Sequence, residues 1–107
     1  GEALIGAVDY VCFTGSTATG RKVAEAAARR LIPANLELGG KDPMIITASA
    51  DPQWAAGIAL RASVVATGQA CQSIERVYVA RAIAEPFLAA LAEGARGVRP
   101  AFPPGEG

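Results

Sequence analysis

The chain runs to 107 residues, 51% of them apolar, which is enough for one domain with a modest core and not for two. Ten basic and ten acidic residues cancel without forming runs, so no field builds up for nucleic acid or an anionic membrane, and the most apolar stretch, Ile58 to Ala66, is broken by Arg61 and falls short of the roughly 20 residues of a membrane span. No histidine is present, which removes Ser-His and Cys-His nucleophile pairs and leaves a carboxylate or a lysine as the available base.

Gly1-Glu2-Ala3 offers neither an initiator Met nor the basic and apolar regions of a secretory signal, so the start of the protein is expected elsewhere. Val8 to Phe13 is β-branched and aromatic and runs into Thr14-Gly15-Ser16-Thr17, the pattern of a strand ending in a tight turn. Cys12, inside that apolar run, reads as a small buried hydrophobe. From Ala18 the chain is Ala-rich, with Val23, Ala27 and Leu31 at i, i+4 and i+8, and Pro33 ends an amphipathic helix of about three turns. Asn35 to Leu38 and Met44 to Thr47 are strand-like, and a glycine turn at Gly39-Gly40 is expected to join them. Asp51-Pro52 is an N-cap with proline at the first helical position, and Trp54, Ile58, Ala62 and Val65 extend an apolar stripe to about Thr67. Val77 to Val79 reads as a strand, and Phe87, Leu88 and Leu91 mark a third helix from near Ile83. The order β-α-β-β-α-β-α indicates an α/β fold with parallel pairing in at least part of the sheet. The tail from Pro100 lacks periodicity and is expected to be disordered.

Three segments can carry chemistry. Phe13 to Gly20 lies between a strand and a helix, where Gly15 lets the backbone approach a ligand and the free N–H groups of the helix start favour a phosphate. The spacing of Gly15 and Gly20 is also that of a P-loop, but Arg21, Lys22 and Val23 stand where that motif needs Lys and then Ser or Thr, which weighs against a nucleotide hydrolase. An ordinary strand-turn-helix corner is the plainer alternative. In Leu36-Glu37-Leu38-Gly39-Gly40-Lys41 a carboxylate sits between two leucines; desolvation there would make it a stronger base, whereas an ion pair with Lys41 would make it structural. In Gly68-Gln69-Ala70-Cys71 the thiol follows a glycine among polar neighbours, a setting that leaves it accessible and can supply N–H donors to an oxyanion. The two cysteines are too few for a disulfide scaffold or, without histidine, for a four-ligand zinc site, so no metal is expected and a reducing, cytoplasmic setting is.

Taken together, in this order, the three segments resemble the aldehyde dehydrogenase superfamily over Gly1 to Gly97. The resemblance implies a fragment of that fold: residues 1–39 as the end of a Rossmann-like dinucleotide-binding domain, 40–99 as the start of an α/β catalytic domain, and 100–107 as a tail. It implies NAD(P)-dependent oxidation of an aldehyde, a small-molecule substrate, to a carboxylic acid, with Cys71 as nucleophile, Glu37 as general base, Gly15, Ser16 and Gly20 near the pyrophosphate of NAD or NADP, and Leu38 near the nicotinamide. A homo-oligomeric parent enzyme is implied as well, with neither nucleic acid nor membrane as partner. Ala66 and Gln72 depart from the family pattern, which often has Asn at the first position and a small or apolar residue at the second. The oxyanion-hole Asn, the residues that sort NAD from NADP and a ribose-binding Glu are taken by the family from other regions. The alternative is a catalytically inert remnant that keeps ancestral motifs.

Overall fold

The computed structural model describes residues 1–99. The expectation of a disordered tail from Pro100 therefore falls outside the described residues. One helical turn, α1 (Glu2–Ile5), that periodicity did not reveal precedes β1 (Val11–Thr14), α2 (Thr17–Arg29), β2 (Ala34–Glu37), β3 (Asp42–Ile46), α3 (Pro52–Val64), β4 (Ile74–Val79) and α4 (Ala84–Arg96). The chain divides into two compact units, Gly1–Gly40 and a second that begins at Lys41. The connected hydrophobic core lies in the second unit, whereas the first buries only Ile5, Gly20 and Ala27.

In the first unit β1 pairs in parallel with β2, with Val11 opposite Ala34 and Thr14 opposite Glu37. α2 makes the crossover between them, as parallel pairing demands. The Ser16 hydroxyl caps α2 by accepting from the Thr19 N–H at 3.2 Å. At the other end the Ile32 and Leu31 N–H groups bond the carbonyls of Ala27 and Ala28, a Schellman closure that places Leu31 at φ 56°. Leu31 is therefore not the third member of the helix stripe: it is 94% exposed, while Ala27 is buried.

In the second unit β3 pairs in parallel with β4, with Met44 opposite Val77 and Ile46 opposite Val79. The strands flanking Gly39-Gly40 consequently belong to different sheets, since each finds a parallel partner beyond a helix. The register slips between Asp42 and Pro43, which face Ile74 and Arg76, so Glu75 is the extra residue of a bulge. Pro43 has no N–H to give a regular ladder there. Glu75 pairs with Lys41 instead.

Ile46, Ala55, Ala56, Ala59 and Phe87 form the core of this unit, with Met44, Val77, Val79 and Leu91 packed around them. α3 starts as expected, its Asp51 carboxylate accepting from the Trp54 N–H at 2.7 Å with Pro52 in the first turn. Its buried face is different from the one periodicity suggested. Trp54 and Val65 are exposed, and the alanine row turns inward. Both rows are apolar, and the row of small side chains allows β3 and α4 the closer approach that fills the core around Phe87.

Candidate functional site

At the carboxyl ends of β1 and β2 the first unit gathers five of the residues singled out above. The Gly15 N–H bonds the Glu37 carbonyl at 3.0 Å, joining the turn after β1 to the end of β2. Ser16 holds the N-cap of the 13-residue α2. The Thr17 and Ala18 N–H groups have no partner among the described residues, leaving donors and the positive end of the helix dipole free for an anion. Gly20 is buried against β2: a Cβ there would stand 2.6 Å from Leu38 Cδ2. The missing side chain lets α2 settle on Leu38. This end of a parallel pair, with a capped helix start and no bulky side chain at Gly15, fits a diphosphate.

Glu37 itself is exposed. Strand alternation sends Leu36 and Leu38 to the opposite face, so the flanking leucines do not desolvate the carboxylate as expected. The ion pair with Lys41 is not formed either, since Lys41 pairs with Glu75.

Cys71 belongs to the second unit. After α3 the backbone takes three successive left-handed residues, Ala66 (φ 53°), Thr67 (φ 59°) and Gly68 (φ 70°). Glycine adopts this freely; a β-branched threonine does so at a cost, and such strain tends to persist at functional loops. A Cβ on Gly68 would also lie 2.8 Å from the Ser63 carbonyl oxygen. The next turn is closed by the Ser73 N–H on the Ala70 carbonyl at 3.0 Å, and Cys71 and Gln72 form its tip. Cys71 is exposed, and its Sγ donates to Gln72 Oε1 at 3.1 Å. Ser63, near the end of α3, shares its one hydroxyl proton between the carbonyls of Ala59 at 2.8 Å and Ile74 at 3.0 Å and so ties α3 to the start of β4.

Cys12 is exposed as well, in contrast to the buried hydrophobe expected. β1 has β2 on one side only among the described residues, and Cys12 lines an open cleft of about 460 Å³ with Ile5, Phe13 and Val23. Arg61 and Ser73 were not singled out as site residues by the sequence, yet both, with Gln72, line a cleft beside the cysteine turn.

A profile described as the aldehyde dehydrogenase family matches residues 1–103. The chain belongs to that family. The match runs beyond Gly97, where the likeness was expected to stop. A protein of Mycolicibacterium smegmatis, named for a proposed succinate-semialdehyde dehydrogenase activity with NADP, is 52% identical over 99 residues, which are 92% of this chain and 19% of that protein. The proposed aldehyde dehydrogenase PutA of Anabaena variabilis superposes with a TM-score of 0.89 at 55% identity, over 95% of this chain and 22% of that one. Betaine aldehyde dehydrogenase of Staphylococcus aureus, solved with NAD+, gives 0.84 at 34% identity, over 92% and 20%. The chain is thus a segment of the aldehyde dehydrogenase fold and spans about a fifth of the length of these relatives. Among the described residues, no group of three or more His, Cys, Asp or Glu could hold a metal, and no helix is long and apolar enough to cross a membrane.

Proposed function

We propose that this segment supplies the nucleophile, the water-activating base and part of the cofactor site of an enzyme that oxidises an aldehyde to a carboxylic acid with NAD or NADP. The observation that carries the reading is Cys71: an exposed thiol at the tip of a closed turn, behind a strained left-handed segment, in a chain of the aldehyde dehydrogenase family. Residues 1–39 would then close a dinucleotide-binding domain and residues 40–99 open the catalytic one.

Once its hydrogen bond to Gln72 is released and its proton lost, the Cys71 thiolate adds to the aldehyde carbon and forms a thiohemiacetal. Bound nicotinamide supplies the two-electron acceptor for the hydride on that carbon. Cys71 is left as a thioester, which needs water for release. Glu37 takes a proton from that water, the carboxylic acid departs, and the thiolate is restored. Gly15 and Ser16, with the Thr17 and Ala18 N–H groups, would hold the diphosphate; Gly20 keeps Leu38 in place for the nicotinamide. The reading extends to a cytoplasmic, homo-oligomeric parent with neither nucleic acid nor membrane as partner.

The exposure of Glu37 favours a second reading for the isolated chain, in which these 107 residues alone reduce no NAD or NADP with any aldehyde. The full-length enzyme tests the first. Cys71→Ser is expected to abolish aldehyde-dependent cofactor reduction. Glu37→Gln is expected to keep a burst of reduced cofactor equal to the enzyme present and then turn over about a hundredfold more slowly, the typical contribution of a general base. Undiminished steady turnover in Glu37→Gln would remove the base, and turnover in Cys71→Ser the whole mechanism.

A further inference from the structure

At the tip of the cysteine turn the Cys71 thiol donates to Gln72 Oε1 at 3.1 Å, and the Gln72 side chain also lines an open cleft of about 260 Å³. We propose that the Gln72 carboxamide is a catalytic partner of the nucleophile: through Oε1 it accepts the S–H of the resting thiol, and once the proton has left it donates through Nε2 to the thiolate. The inference deepens the reading of Cys71 given above and rests on it.

The turn brings the two side chains together. The Ser73 N–H closes it on the Ala70 carbonyl at 3.0 Å, so Cys71 and Gln72 are its two central residues, and both are exposed. A carboxamide carries an acceptor at one end and two donors at the other. Its last torsion is broad and roughly two-fold, so a half-turn exchanges Oε1 for Nε2 without moving the backbone. The one side chain can therefore follow the sulfur through both of its protonation states. An apolar side chain offers neither end, and a carboxylate offers the acceptor alone.

Relative strength decides which end counts. A thiol is a weak donor, so its bond to Oε1 contributes little, whereas an N–H donated to a thiolate is charge-assisted and roughly twice as strong as a neutral bond. On balance the amide favours the thiolate. The thiol proton passes to solvent water, the electron pair of the S–H bond stays on Sγ, and the amide turns as that charge appears. The same pair then forms the bond from Sγ to the aldehyde carbon while the π pair of the carbonyl moves onto its oxygen.

Two variants of the full-length enzyme separate the ends. Gln72→Met keeps the length and the unbranched shape and removes both; Gln72→Glu keeps the acceptor and puts a negative charge in place of the donor. Alkylation of each thiol by iodoacetamide at one fixed pH is followed by peptide mass, with Cys12, exposed in the first unit, as the internal reference. Cys71 is expected to react about threefold more slowly in Gln72→Met, a roughly tenfold loss of thiolate being partly offset by the greater nucleophilicity of the thiolate that remains. In Gln72→Glu the carboxylate repels the thiolate, and the loss is expected to reach at least about tenfold. Cys12 keeps its rate in both. The burst of reduced cofactor slows in the same order, while the release of acid that follows it, which depends on Glu37, does not. Alkylation of Cys71 in Gln72→Met as fast as in the parent or faster overturns the proposal, the faster result showing that Oε1 only holds the proton on sulfur. Equal losses in the two variants, or a matching change at Cys12, overturn it as well. Because alkylation needs no turnover, the outcome is separate from that of the oxidation: Cys71→Ser that still oxidises aldehyde removes the nucleophile and leaves the amide as a partner of the thiol, whereas alkylation indifferent to Gln72 in an enzyme that Cys71→Ser inactivates removes the amide alone.

Discussion

Single residues carry most of the strain in this chain, and the strain is placed in two ways. Leu31 holds a left-handed conformation at the end of α2 with its side chain 94% exposed, so nothing around it repays the cost. Leu31→Gly is expected to stabilise the protein by about 0.5–1 kcal/mol, the relief of the left-handed penalty less the added entropy of the unfolded chain. Gly68 stands in the opposite situation, with φ 70° and a backbone oxygen in the way of any Cβ, so Gly68→Ala is expected to cost about 1–3 kcal/mol. Urea unfolding of the two variants decides it: a Leu31→Gly protein no more stable than the parent removes the strain argument. Cys71 and Glu37 stood out as candidates because their neighbours follow a recognisable pattern. The left-handed run before Cys71 was not, since Ala66 and Thr67 are residues that ordinarily avoid it. Nor was the exposure of Glu37, which depends on the face of β2 that α2 covers.

At the scale of elements, local chemistry was written plainly and pairing was not. The start of α3 could be placed from Asp51-Pro52 alone because the cap is satisfied within four residues. Asp51→Ala is expected to destabilise the second unit by about 1 kcal/mol, the usual loss for such a cap, while Asp51→Ser, which also accepts from the Trp54 N–H, recovers most of it. Equal losses in the two variants, read from thermal unfolding, would show that the bond at 2.7 Å contributes nothing. The inward face of α3 could not be chosen by period, because Trp54 with Ile58 and Ala55 with Ala59 are equally apolar rows. Tertiary packing decided between them. The strands on either side of Gly39-Gly40 could be recognised singly, but the sheet each joins could not, because each is completed by a partner on the far side of a helix.

Across the whole chain the two units are unequal in what they bury. The second has a connected core of Ile46, Ala55, Ala56, Ala59 and Phe87, whereas in the first only Ile5, Gly20 and Ala27 are buried. Among the described residues each sheet has two strands, too few for independent stability without helices packed on them, so the burial supplied by those helices sets how long backbone hydrogen bonds stay closed. Native-state hydrogen exchange should therefore rank the units. Amides of β3 and β4 are expected to exchange at least about tenfold more slowly than those of β1 and β2, as stronger burial demands. Phe87→Ala, which empties the largest fully buried side chain and costs about 3–5 kcal/mol, is expected to erase that margin. Equal protection of the two sheets in the unaltered chain would mean that burial in these cores does not govern their opening. The cysteine turn hangs on the better-buried unit, directly before β4, so the ranking also predicts that Cys71 keeps its place under denaturant concentrations at which the turn at Gly15 has already opened.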